Sequence, residues 1–132
     1  MAAAERSRME ATARRFHESG DDADPGLLSE SIHEDAEMTL VMTHFKPVRG
    51  REAIMDALYH DRESMLYSAS VERLEWLDRD TVLLRGHARY AAEEGAVGQS
   101  TIWWLDEFRD GQLLRVRAFK DETSARNAYS SL

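Results

Sequence analysis

The chain has no cysteine, only two prolines and seven glycines in 132 residues. Without cysteine, disulfides, thiolate catalysis and Cys-ligated zinc or iron–sulfur centres are excluded. No apolar run passes five residues, and the stretch from Met38 to Met42 already includes Thr39, so no segment can form a membrane-spanning helix. Basic residues are missing from a long window. Between Phe16 and Phe45 there is no Lys or Arg, while Glu18, Asp21, Asp22, Asp24, Glu30, Glu34, Asp35 and Glu37 carry the whole net charge of −8. The other seventeen acids balance the seventeen bases. A phosphate-tracking surface needs clustered cations, so this balance argues against a nucleic-acid partner. Also absent are a Gly-rich phosphate loop, a G-x-S-x-G elbow and any H-x-H or H-E-x-x-H spacing, and the expectation is a protein with neither cofactor nor metal. Met1 to Arg8 is Ala-rich with three charges and lacks the apolar core of a signal peptide, which makes the cytoplasm the expected compartment.

What is present suits one compact domain over residues 1–132, with 42% hydrophobic and 32% charged residues. Met9, Ala13 and Phe16 form an i, i+4, i+7 stripe, so the chain opens with a helix that Gly20 is placed to stop. Asp24-Pro25 reads as an N-cap and first helical residue of a short second helix, with Leu28 and Ile32 on one face. Met38 to Met42 reads as the first strand, and Pro47 and Gly50 then break the chain. Helical spacing returns from Arg51 to Met65. Strand-like runs follow at 68–77 and 81–91, joined by Asp78-Arg79-Asp80, and at 99–108 and 112–120, joined at Asp110-Gly111. A helical tail spans Glu122 to Tyr129. This order predicts an α+β fold: a mostly antiparallel curved sheet packed against three helices.

Three stretches carry a resemblance to the nuclear transport factor 2-like superfamily, within it to the SnoaL-like polyketide cyclases. Ser31-Ile32-His33-Glu34-Asp35-Ala36-Glu37-Met38 is similar to the family's second helix running into the first strand. Val48-Arg49-Gly50-Arg51-Glu52-Ala53-Ile54 resembles its G-R-E-x-I helix opening. The run from Asp110 to Asp121 resembles its final hairpin, with an aromatic two places before a closing Asp. The resemblance implies a cone-shaped sheet with a central pocket, and cofactor-free isomerase, cyclase or dehydratase chemistry or simple ligand binding. It also implies an acid/base role for Asp121. Related epoxide hydrolases use an Asp-Arg-Asp set, which Arg115 or Arg117 with Asp121 and Asp106 resembles.

A two-residue turn at Asp110-Gly111 sets Arg109 opposite Gln112. Continued backwards, that register pairs Asp106 with Arg115, Trp104 with Arg117, Ile102 with Phe119 and Ser100 with Asp121 on one face. Large apolar groups then occupy both faces, which suggests a pocket on one side and a homodimer partner on the other.

Asp121 closes a strand beside Phe119, where an apolar wall would raise its pKa and make it a general base; the alternative is an N-cap for the helical tail. His44 follows the first strand and could polarise a carbonyl or shuttle a proton, or be an ordinary loop histidine. Arg117, beside Trp104 in this register, could hold an enolate oxygen or pair with a surface carboxylate. Trp104, Phe119, Ile102, His87 and Tyr90 are the expected pocket wall, suited to a flat apolar ligand. His17, His33 and His60 read as solvated. Two functions follow: an acid/base enzyme for a small apolar carbonyl compound, or a non-catalytic ligand-binding or dimerisation module.

Overall fold

Asp110 (φ 53°) and Gly111 (φ 79°) both adopt the left-handed region that a two-residue hairpin turn requires. They close the last hairpin of a six-stranded sheet in the computed structural model, which describes residues 3–18, 25–40, 46–60, 65–92 and 97–130. In chain order the elements are α1 (Ala3–Glu18), α2 (Pro25–Ser31), β1 (Ile32–Thr39), β2 (Pro47–Arg49), α3 (Arg51–His60), β3 (Met65–Trp76), β4 (Thr81–Ala92), β5 (Val97–Arg109), β6 (Gln112–Phe119) and α4 (Glu122–Ser130). The strands lie in the order β2-β1-β6-β5-β4-β3; every pair is antiparallel except β1 with β6. The expected α+β architecture is therefore present. None of the described helices is long and apolar enough to cross a membrane.

Several boundaries differ from expectation, each for a tertiary reason. β1 begins at Ile32, not near Met38, because Ile32 already pairs with Leu113 of β6 despite the strand-poor sequence that follows it. The ladder breaks between Ile32 and Glu37 and resumes at Glu37 opposite Arg115. α3 ends at His60, while Met65 opens β3 opposite Ala92, so pairing claims a residue whose spacing had suited the helix. Gly50 (φ 92°) provides the corner before α3, its N–H donating to the Ala36 carbonyl at 2.7 Å.

The inner face of the sheet packs against α1, α2 and α3. Met38, Leu84, Leu113, Val82, Val116 and Trp104 are sealed there with Met9, Ala13 and Phe16 of α1, Leu28 of α2 and Ile54 and Leu58 of α3. Each aliphatic side chain so buried contributes about 1.5–3 kcal/mol. The outer face has a smaller cluster in which Leu83, Trp103 and Leu105 pack with Phe119 and with Ala125, Ala128 and Tyr129 of α4.

The final hairpin corrects the register expected from its turn. Arg109 does face Gln112, and Phe108 faces Leu113, but a bulge then shifts the ladder so that Glu107 faces Arg115. Leu114 is the extra residue on β6. Beyond it Asp106 faces Val116, Leu105 faces Arg117, Trp104 faces Ala118 and Trp103 faces Phe119. A one-residue slip moves every subsequent side chain to the other face.

Candidate active site

Residues 102, 104, 106 and 108 of β5 share the inner face, and all four are buried. Three are apolar; the fourth, Asp106, is a carboxylic acid with a fully buried side chain. Its Oδ2 accepts a hydrogen bond of 2.7 Å from Nε2 of His17, whose side chain is 2% exposed. The His17 imidazole lies on the Trp104 ring with 4.2 Å between centroids and 24° between planes, and Phe16 meets it edge-on at 5.1 Å. Oδ1 of Asp106 has no hydrogen-bond partner among the described residues. A buried polar atom without a partner calls for an explanation, and catalytic work is one of few.

The local sequence builds this arrangement directly. On α1, His17 stands four residues after Ala13 and one after Phe16, which puts it on the edge of the helix's apolar stripe. On β5, Trp104 and Asp106 are two apart, so one imidazole can stack on the first and bond to the second. Space for the Trp104 ring comes from Gly86 of β4, where a Cβ would collide with that ring and with the Ser70 carbonyl oxygen. Towards the strand ends away from the Asp110-Gly111 turn, Ala69, Ala88 and Ser100 form the next inward row across β3, β4 and β5.

The residues expected from sequence do not assemble into one site. Ile102 and Trp104 are inner-face residues as expected, but Phe119 and Arg117 sit on the outer face because of the Leu114 bulge. His87 is also an outer-face residue, opposite Thr101, and its Nε2 shares a 3.2 Å hydrogen bond with Oε1 of Gln99. Arg117 is thus beside Leu105 instead of Trp104. Burial pushes its guanidinium pKa down, with neighbouring Arg115 adding to the effect, and its nearest carboxylate oxygen is on Glu107 at 4.0 Å. His44 lies outside the described residues, as does the side chain of Tyr90.

Asp121 is exposed, and its Oδ1 accepts a 2.7 Å hydrogen bond from the Ser124 backbone N–H at the start of α4. That bond holds its carboxyl below the usual carboxylate range, the opposite of the shift a general base near neutral pH needs. The geometry is that of the N-cap, the alternative reading of this residue. Of the histidines expected in solvent, His33 is half-buried and its Nδ1 accepts from the Asp35 N–H at 3.0 Å. His17 is the clear correction, because the helix turns it inward.

No family model and no curated protein matches this chain. Solved structures do. A protein of unknown function from Burkholderia pseudomallei, described as NTF2-like, superposes with a TM-score of 0.74 over 91% of this chain and 95% of its own, at 12% identity. An LEH-like epoxide hydrolase from Mycobacterium tuberculosis gives 0.74 over 95% and 91%, at 14% identity. A candidate polyketide cyclase from Xanthomonas campestris gives 0.68 over 91% and 95%, at 17% identity. At these identities the likeness is one of architecture. The chain has the nuclear transport factor 2-like fold.

Proposed function

We propose that this protein is a cofactor-free acid–base catalyst acting in the cytoplasm on a small apolar carbonyl compound, with His17 and Asp106 as its proton-handling pair. The observation that carries this reading is the buried dyad with one carboxylate oxygen left without a partner among the described residues, on an apolar wall. Asp106 Oδ1 takes a proton from the carbon next to the carbonyl; the C–H electrons move to the carbonyl oxygen as an enolate, and the same carboxyl returns the proton to that carbon or to a conjugated one. His17 holds Oδ2 and with it the plane of the carboxylate. His44 is our candidate for polarising the carbonyl. Support for an enzyme comes from proteins of the same fold named as an epoxide hydrolase and as a candidate polyketide cyclase. We further propose that the protein works as a homodimer.

The sealing of the dyad, at 2% and 0% exposure, favours a second reading in which the pair only joins α1 to the sheet and the protein is a ligand-binding module without chemistry. One experiment separates the two. Cyclohexanone and a 3-oxo steroid enone are incubated with the protein in D2O, and deuteration next to the carbonyl is followed by NMR. Catalysis predicts exchange above the buffer rate, reduced at least about 10²-fold in Asp106→Asn. Exchange that survives this substitution overturns the assignment. Thermal stabilisation by the ketones with no exchange establishes the binding module.

A further inference from the structure

α1 carries a second stripe, charged and alternating in sign, with four-residue steps: Arg6, Glu10, Arg14 and Glu18. Every member engages β3, the terminal strand of the sheet. The Arg6 guanidinium lies 5.1 Å from the Trp76 ring centroid, and the Trp76 indole N–H donates to Oε1 of Glu10 at 2.7 Å. Further along, Arg14 Nη1 donates to the Val71 carbonyl at 3.2 Å, and the Val71 N–H donates to Oε2 of Glu18 at 3.0 Å. Both backbone groups of one edge residue are thereby closed by two side chains one helical turn apart, much as a neighbouring strand would close them. Val71 is also where the β3 ladder bulges, between Val71 and Arg73.

We propose that Arg14 and Glu18 are positioning residues that fix the rotation of α1 and so hold His17 between Trp104 and Asp106. His17 adjoins Glu18 in sequence, and Val71 lies opposite Gly86, the residue that admits the Trp104 ring. A rotation of α1 by about 20° would move a side chain at the helix surface by about 2 Å. That displacement is enough to break a 2.7 Å hydrogen bond. The apolar stripe of Met9, Ala13 and Phe16 tolerates small rotations because its contacts are non-directional, whereas the Val71 clamp does not. The importance of the clamp rests on the catalytic reading of the dyad; its mechanical effect on His17 does not.

The test reads His17 without any substrate. In ¹⁵N-labelled protein the His17 Nε2–H resonance, assigned by its loss in His17→Gln, is followed for exchange with water. In Glu18→Ala this exchange is expected to accelerate at least about 10-fold. Glu18→Gln should restore slow exchange, since its amide oxygen still accepts from Val71. Glu10→Ala is the control: it breaks the other end of the ladder at Trp76 and should leave His17 within about 2-fold of the parent. Should Glu18→Ala fail to fold, Arg14→Met keeps the aliphatic stem and must show the same acceleration. Unchanged His17 exchange in both clamp variants overturns the proposal, as does a Glu10→Ala effect of equal size. A failed ketone assay with a responsive His17 leaves the clamp standing and removes the catalysis, so the two outcomes are distinguishable.

Discussion

An imidazole and a carboxylate buried together among Phe16, Trp104 and Val116 pay desolvation for both groups, and their mutual hydrogen bond offsets it only while both remain. His17→Leu therefore leaves Asp106 buried beside an apolar side chain and is expected to cost about 3–5 kcal/mol in urea unfolding. The double variant His17→Leu/Asp106→Leu should recover much of that loss, since apolar replacements of a buried pair are often neutral. A double variant whose loss equals the sum of the two single losses would show that the pair is not coupled. Parts of this site were readable in the sequence. Asp106 stands alone in the inward row Ile102, Trp104, Phe108, and His17 adjoins the stripe of Met9, Ala13 and Phe16. Their meeting was not readable, because the two residues are 89 positions apart and only the α1–sheet packing joins them.

At the scale of elements, patterns with strong local chemistry translated well and those decided by partners did not. Alternation and turn residues define β3, β4 and the β5–β6 hairpin. The exception is the bulge, whose only local sign is the doublet Leu113-Leu114 interrupting an otherwise regular inward row of Val116 and Ala118. That one residue moved Phe119 and Arg117 away from the expected pocket. α4 shows the converse. Its cap at Asp121, the bidentate contact of Arg126 with Glu75 at 2.9 and 3.1 Å, and the 2.9 Å bond from Tyr129 Oη to Asp78 pin a helix whose buried contacts are mostly alanine. Asp121→Ala should lower Tm by a few degrees and leave turnover unchanged. The pH dependence has a definite sign. Because Ser124 depresses the Asp121 carboxyl in the fold, its contribution is complete above the carboxylate pKa of the unfolded chain and fades as pH falls through the lower folded value. The Tm gap between parent and variant should hold steady from neutral pH to about pH 5 and narrow below about pH 4, as thermal melts across that range would record. A gap that widens on acidification contradicts the cap.

For the whole molecule, the outer face is where the proposed homodimer would form. Its apolar centre, which alone would call for a partner, is covered in cis by α4. What α4 leaves over is charged. Towards the Asp110-Gly111 end Glu37 and Glu107 both stand opposite Arg115, Arg49 bonds to Glu37 and Arg126 to Glu75, whereas Arg73, Arg85, His87 and Arg89 lie towards the other end, with Arg73 directly opposite Arg85. Like charges facing each other across two strands are unfavourable, and Arg85, Arg115 and Arg117 each have a buried guanidinium nitrogen without a hydrogen-bond partner among the described residues. A two-fold axis lying across the strands would bring Glu37 and Glu107 of one outer face over Arg85 and Arg89 of its partner, which is how we place the proposed homodimer. Sedimentation at about 100 µM protein should then show a species of twice the 15.1 kDa chain mass. The dimer should weaken as salt rises, and Arg85→Glu should shift the population towards monomer by adding an acid where the partner's acids dock. A chain that sediments as a monomer at low salt, or a dimer indifferent to both salt and Arg85→Glu, would mean that these arginines face water and that α4 alone completes the outer face.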